Sequence, residues 1–198
     1  MGRKQLWDRG EVLARAMGLF RRRGYQGASV RDIEEATGLH PGSLYRVFEN
    51  KDGLFRAALD AYNDQVVRGR VREHLLEPAD PVAGIRSFFT STFETGPDPD
   101  PGCLLTNTAV ECFTVPQAAD AVHRGLETIE SGFAEALTRA RALGLLSADL
   151  DVEVSAAQLL ALYQGLLVLV RAATPVTKLR TITDGAMASI GYERDGQR

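Results

Sequence analysis

Four side chains near the start of the chain carry the most directed chemistry: Arg31, Tyr45, Arg46 and Lys51. Three cations and a phenol suit a polyanion. A guanidinium takes a guanine edge or a phosphate through two parallel hydrogen bonds, an ammonium takes phosphate as a point charge, and a phenol donates one bond to a phosphate oxygen. Enzyme chemistry has no comparable constellation. The chain shows no nucleophile paired with a base and no phosphate-cradling glycine loop with its lysine. His40, His74 and His123, taken with Cys103 and Cys112, make no recognised zinc spacing. The expectation is therefore a non-enzyme, with no catalytic residue, no metal site and no cofactor.

Something must hold these cations on one surface, and the chain around them is punctuated to do so. Residues 38–51 read G-L-H-P-G-S-L-Y-R-V-F-E-N-K. Ser29-Val30-Arg31-Asp32 forms a capping box that opens a short helix, and Thr37-Gly38 ends it. Gly38 permits a left-handed backbone, Leu39 plugs the angle, and Pro41 fits the first position of a second helix with His40 as its cap. Two short helices joined by so tight a turn make a helix-turn-helix, whose second helix enters a DNA major groove. The small Gly42 and Ser43 would let it approach base edges. Leu44 and Phe48, four apart, face the core and leave Tyr45 and Arg46 outward.

Upstream, Val12, Ala16, Leu19 and Phe20 keep helical spacing, and Arg21-Arg22-Arg23-Gly24 closes that helix. Downstream, a longer helix is expected from Lys51 to about residue 76. Others follow over about 81–94, 103–113, 116–143, 152–173 and 175–191, with a loop at 96–102. No strand pattern competes, so the fold class is all-α: a three-helix helix-turn-helix domain over 1–50 and a helical effector-binding and dimerisation domain over 51–198.

Charge agrees with that division. Residues 1–60 hold 11 Lys/Arg against 8 Asp/Glu, a balance of +3, whereas residues 61–198 hold 12 against 18, a balance of −6. Only the head of an otherwise acidic chain is suited to meet DNA. No secretory signal is expected, and the apolar stretch Leu159–Val170, interrupted by Gln164, is too short to span a bilayer. A cytoplasmic protein with no membrane partner is expected.

Three runs taken together resemble the TetR/AcrR family of bacterial transcriptional regulators. They are L-F-x-x-x-G-Y over Leu19–Tyr25, S-V-R-D-I-x-x-A-x-G over Ser29–Gly38, and G-S-L-Y-x-x-F-x-x-K over Gly42–Lys51. The resemblance implies a ligand-responsive repressor that binds a palindromic double-stranded DNA operator as a homodimer and is released by a small molecule. Carried over residue by residue, Ser29 and Arg31 meet the DNA backbone. Pro41, Gly42, Ser43 and Arg46 lie along the groove, Tyr45 bonds a phosphate, and Lys51 binds phosphate at a helix start. His40 and Pro41 depart from the family's usual residues, so base preference does not transfer.

Beyond residue 60 the resemblance implies a helical ligand pocket and a dimer through the last two helices, about residues 152–191. Ala157, Leu160, Ala161, Gln164, Gly165 and Val168 supply small and apolar residues at helical spacing there. A dimer also doubles the DNA read by one short helix. The effector is unknown. Candidate pocket residues are Phe88, Phe89, Phe93, Cys103, Asn107, Glu111 and Tyr163. Cys103, Asn107 and Glu111 recur every four residues, on one helix face, and resemble a G-C-L-x-x-N-x-x-x-E signature of one family branch. Three readings stay open: a structural face bonding neighbouring helices, a pocket lining, and a thiol sensor at Cys103. An architectural DNA-binding protein without an effector is the other rival, but the acidic C-terminal region is far longer than dimerisation requires.

Overall fold

A computed structural model describes residues 7–94, 102–112 and 114–192. In chain order the helices are α1 (Arg9–Gly27), α2 (Val30–Thr37), α3 (Pro41–Phe48), α4 (Lys51–Tyr62), α5 (Arg68–Val71), α6 (Pro81–Thr90), α7 (Leu104–Glu111), α8 (Ala119–Ala142), α9 (Val152–Arg171) and α10 (Val176–Ser189). No strand occurs among the described residues. The all-α class is as expected.

By compactness the chain divides into two units. One takes residues up to Val66 together with Pro101–Arg124, and the other takes Val67–Asp100 with Gly125–Arg198. This differs from a boundary after residue 50, for a physical reason: α4 and α7 both pack on α1. In the first unit Phe20, Ile33, Leu44, Leu54, Phe55 and Leu59 are fully buried, each worth roughly 2 kcal/mol on leaving water. Phe20 and Phe55 meet edge to face with ring centres 4.8 Å apart.

Caps set where these helices start. The Asp8 carboxylate accepts from Glu11 N–H at 2.9 Å, and the Asn50 amide oxygen accepts from Gly53 N–H at 2.8 Å. The box expected at α2 is present in both directions. Asp32 N–H donates to Ser29 Oγ at 3.2 Å, and Ser29 N–H donates to the Asp32 carboxylate at 2.9 Å. The end of α1 departs from expectation: Gly24 breaks the helix at φ 69°, ψ 177°, and one further turn then follows to Gly27.

The single helix expected over 51–76 is uneven. Asn63–Val67 and Arg72–Leu76 are π-helical turns flanking α5. The second ends on Arg139, whose guanidinium donates to the carbonyls of Leu76 and Pro78, each at 2.6 Å, a cation completing a helix C-terminus. The segment expected as one helix over 116–143 opens with a 3-10 turn, Pro116–Ala118. Apart from Gly102, the loop expected over 96–102 lies outside the described residues.

In the second unit Phe88, Phe89, Phe133 and Tyr163 form one aromatic cluster. The Phe88 and Tyr163 rings are 4.6 Å apart and Phe88 and Phe133 are 5.3 Å apart. α9 packs on α10. At 20 residues with mean hydropathy 1.5, α9 is long and apolar enough to cross a membrane by length and composition, contrary to expectation. Its Ala156, Leu159, Tyr163, Leu166 and Leu167 are nevertheless buried within the unit.

Candidate nucleic-acid interface

The turn between α2 and α3 is built from the residues expected to build it. Gly38 ends α2 in the left-handed region, φ 70° and ψ 9°, and donates to the Glu34 carbonyl. Such a φ strains any residue with a Cβ. Leu39 is buried behind it, and the Thr37 hydroxyl donates to the Ile33 carbonyl at 2.6 Å while accepting from Leu39 N–H. Pro41 starts α3, and the His40 carbonyl accepts from Ser43 and Leu44. The His40 side chain does not cap the helix. Its ring turns back to α2 and bonds the Glu34 carboxylate at 2.9 Å.

α3 then divides cleanly. Leu44 and Phe48 are buried, whereas Tyr45 is 54% exposed and Arg46 is exposed. A methyl added at Gly42 would meet nothing within 4 Å, so the fold itself does not require its small size. Neither Arg31 nor Arg46 pairs with a carboxylate among the described residues, and both are exposed. Ser29 is more occupied: its hydroxyl donates to Asp32 at 2.7 Å. That bond leads the causes that hold the Asp32 carboxyl below the usual aspartate value, with Arg23 adding to it.

Lys51, at the first position of α4, is half-buried with its ammonium 4.2 Å from the Tyr25 ring centre. Burial pushes its pKa down, while Asp52, Glu111 and Asp32 pull it up. Sequence reasoning missed Tyr25 as a partner of this group. The Tyr25 hydroxyl bonds the Asp52 carboxylate, and burial followed by Asp52 raises the phenol to about 12. The adjacent Gly-Tyr in the first motif was the available signal.

The candidate pocket residues separate. Phe88, Phe89 and Tyr163 are buried in the aromatic cluster of the second unit, and Phe93 is half-buried beyond the end of α6. Cys103, Asn107 and Glu111 belong to the first unit, on α7 or at its start. Cys103 Sγ accepts from the Tyr62 hydroxyl at 3.4 Å. Asn107 and Glu111 bond α1, as the structural reading of that face has it.

Arg70 and His74 border the aromatic cluster, a placement that sequence reasoning missed. Arg70 Nη2 donates to the Phe88 carbonyl at 2.9 Å and Ser91 Oγ at 3.0 Å and lies 3.4 Å from the Tyr163 hydroxyl. His74 Nδ1 is 3.0 Å from Ser87 Oγ, and burial followed by Arg70 lowers its pKa. Their spacing, four apart on a helix, was the signal that could have joined them.

Residues 12–58 match the family model described as bacterial regulatory proteins, tetR family, and residues 81–185 match that of a tetracyclin repressor-like C-terminal domain. The HTH-type transcriptional repressor ComR of Escherichia coli (strain K12) is 35% identical over 108 residues, which are 54% of this chain and 51% of ComR, so this match spans about half of that relative's length. The HTH-type transcriptional regulator YezE of Bacillus subtilis (strain 168) is 31% identical over 159 residues, 79% of this chain and 81% of YezE. Among solved structures, a cysteine mutant of the TetR family transcriptional regulator CifR in complex with a 26bp double-strand operator DNA superposes with a TM-score of 0.82. It is 32% identical, covering 96% of this chain and all of that one. Both halves of the chain match, and the motifs on α1 to α4 sit in the geometry they require: this chain belongs to the tetR family of bacterial regulatory proteins.

Proposed function

We propose that this chain is a homodimeric, cytoplasmic repressor that places one α3 in each of two successive major grooves of a near-palindromic operator and is released by a small molecule. The observation that carries the reading is the surface of α3. A helix held to its core by Leu44 and Phe48 presents a phenol, a guanidinium and a glycine whose open side faces solvent. Arg46 reads a base edge, with Pro41, Gly42 and Ser43 along the groove. Tyr45, Arg31 and Lys51 hold phosphates, Lys51 aided by the N-terminal dipole of α4. Ser29 orders the start of α2 beside the backbone, and His40 lies at the entry to α3. The relatives being regulators, no catalysis and no cofactor are assigned.

Dimerisation is assigned to the outer faces of α9 and α10. Val154, Ala157, Ala161, Gly165 and Val168 share one exposed face of α9, and Thr177, Thr181, Gly185 and Ala188 share one of α10. Small and apolar residues on both let helices approach closely. The effector is assigned to the second unit, where Arg70 and His74 border Phe88, Phe89 and Tyr163. A tenfold loss of operator affinity requires about 1.4 kcal/mol of coupling between the two sites.

The test is binding of the full chain to duplexes it enriches from a random pool. Affinity should fall steeply and linearly with the logarithm of salt concentration, and a two-fold symmetric sequence should emerge. Enrichment of no sequence would overturn the reading.

A further inference from the structure

Asn107 and Glu111 lie one turn apart on α7, and each meets one side of the interruption in α1. An unbroken helix would bond Tyr25 N–H to the Arg21 carbonyl. Gly24, at φ 69° and ψ 177°, takes the backbone out of helical conformation between them. Both groups are taken up by α7 instead. Asn107 Nδ2 donates to the Arg21 carbonyl at 3.2 Å, and Tyr25 N–H donates to Glu111 Oε2 at 3.0 Å. Arg21 Nε adds a bond to the Gly102 carbonyl at 2.8 Å. A Cβ at residue 24 would overlap the Glu111 carboxylate, so only glycine admits both the break and its bridge.

The bridged turn carries Tyr25, and Tyr25 touches the start of α4. Its ring centre is 5.0 Å from that of Phe55 and 4.2 Å from the Lys51 ammonium, and its hydroxyl bonds Asp52. The contacts therefore run without a gap from α7 through the kink of α1 to Lys51. We propose that Asn107 and Glu111 are positioning residues for DNA binding. By completing the opened turn of α1 they fix Tyr25, and through Tyr25 they fix the Lys51 ammonium where it meets a phosphate. This rests on the DNA-binding reading of the head, and it gives the asparagine and glutamate of the α7 signature a task other than lining a pocket.

The charge of Glu111 and its hydrogen bond act in opposite directions. The carboxylate's field acts on Lys51 and opposes a nearby phosphate, whereas its bond to Tyr25 N–H orders the kink. Glutamine keeps an oxygen able to accept that bond and drops the charge. The experiment measures the affinity of the full chain for its own enriched duplex, and the salt slope of that affinity, by fluorescence anisotropy. Glu111→Ala and Asn107→Ala should each weaken binding about five- to tenfold and reduce the slope by about one ion. Glu111→Gln should stay within about twofold of wild type or bind more tightly. In a Lys51→Ala background, Glu111→Ala should cost nothing further, because neighbours acting through one contact are not additive. The proposal fails if Glu111→Ala binds like wild type, or if it weakens the Lys51→Ala protein as much as the parent. Should circular dichroism show Glu111→Ala unfolded, Asn107→Ala decides alone, since it leaves the carboxylate in place. A wild-type chain that enriches no duplex overturns the DNA-binding reading and this proposal with it; normal wild-type binding with indifferent variants overturns only the proposal.

Discussion

α3 and α9 both turn surface to solvent that their own units leave uncovered, but the chemistry of the two surfaces is opposite. α3 shows Tyr45 and Arg46 over a buried Leu44 and Phe48. α9 shows Val154, 52% exposed, and Val168, 48% exposed, with Ala157, Ala161 and Gly165 between them. A polar face costs little in water and can wait for an intermittent, charged partner. An apolar face of this length is unfavourable in water until something covers it. The proposed function uses both kinds: a lasting contact that would set the spacing of two heads and a reversible one that would read DNA. The two faces belong to different units, and no residue is shared between them.

The largest effect should come from the apolar face. Ala161→Asp combined with Val168→Asp places charges where a second copy would pack, and both side chains are exposed, so the fold of one chain should survive. Light scattering should report a monomer, and operator affinity should fall by at least about a hundredfold, because one recognition helix then reads a single half-site. A dimer that persists in this variant would move the interface away from α9. Next in size is Arg46→Ala on the polar face. It should cost about 1–3 kcal/mol on the enriched operator and relax preference at one base position. Equal losses on operator and random duplexes would demote Arg46 to a backbone contact.

Local signals made one of these regions far more legible than the other. The start of α2 at Ser29, its end at Gly38 and the start of α3 at Pro41 are set by residues within four positions of each boundary, and the chain shows them directly. The bridge at Gly24 was not legible. Its glycine could be seen, but the side chains that repair the broken turn come from residues 107 and 111, more than eighty positions away in the sequence. The π turns around α5 leave no mark in hydrophobic spacing, since a period of 3.6 blurs over a single wider turn. The partners of the α7 face were hidden for a related reason. Helical spacing placed Cys103, Asn107 and Glu111 on one face of α7, but not the α1 backbone against which that face packs.

A smaller effect tests how far the head depends on its own caps. Ser29→Ala removes the hydroxyl that accepts from Asp32 N–H and should destabilise the protein by about 1 kcal/mol in urea unfolding. It should also change the response to acid. The Asp32 carboxyl is held below its ordinary value, first by Ser29. A depressed carboxylate contributes stability that is present above the unfolded-state value and lost as pH falls through the folded-state one. The loss of stability between neutral and strongly acidic pH should therefore be shallower in Ser29→Ala than in wild type. An unchanged acid limb would mean that Arg23, not Ser29, dominates the shift.

The smallest predicted change returns to α3 and separates its two outward residues. Tyr45→Phe keeps the aromatic ring and removes one hydroxyl. If that hydroxyl donates to a phosphate, the loss should be about 0.5–1.5 kcal/mol, the same on operator and random duplexes, because phosphates carry no sequence. The salt slope should not move, since a neutral donor releases no counterion. Arg46→Ala, by contrast, alters the preferred base. The pair of variants thus distinguishes positioning from reading on adjacent residues of one helix. A large loss confined to the operator in Tyr45→Phe would transfer the reading role from the guanidinium to the phenol.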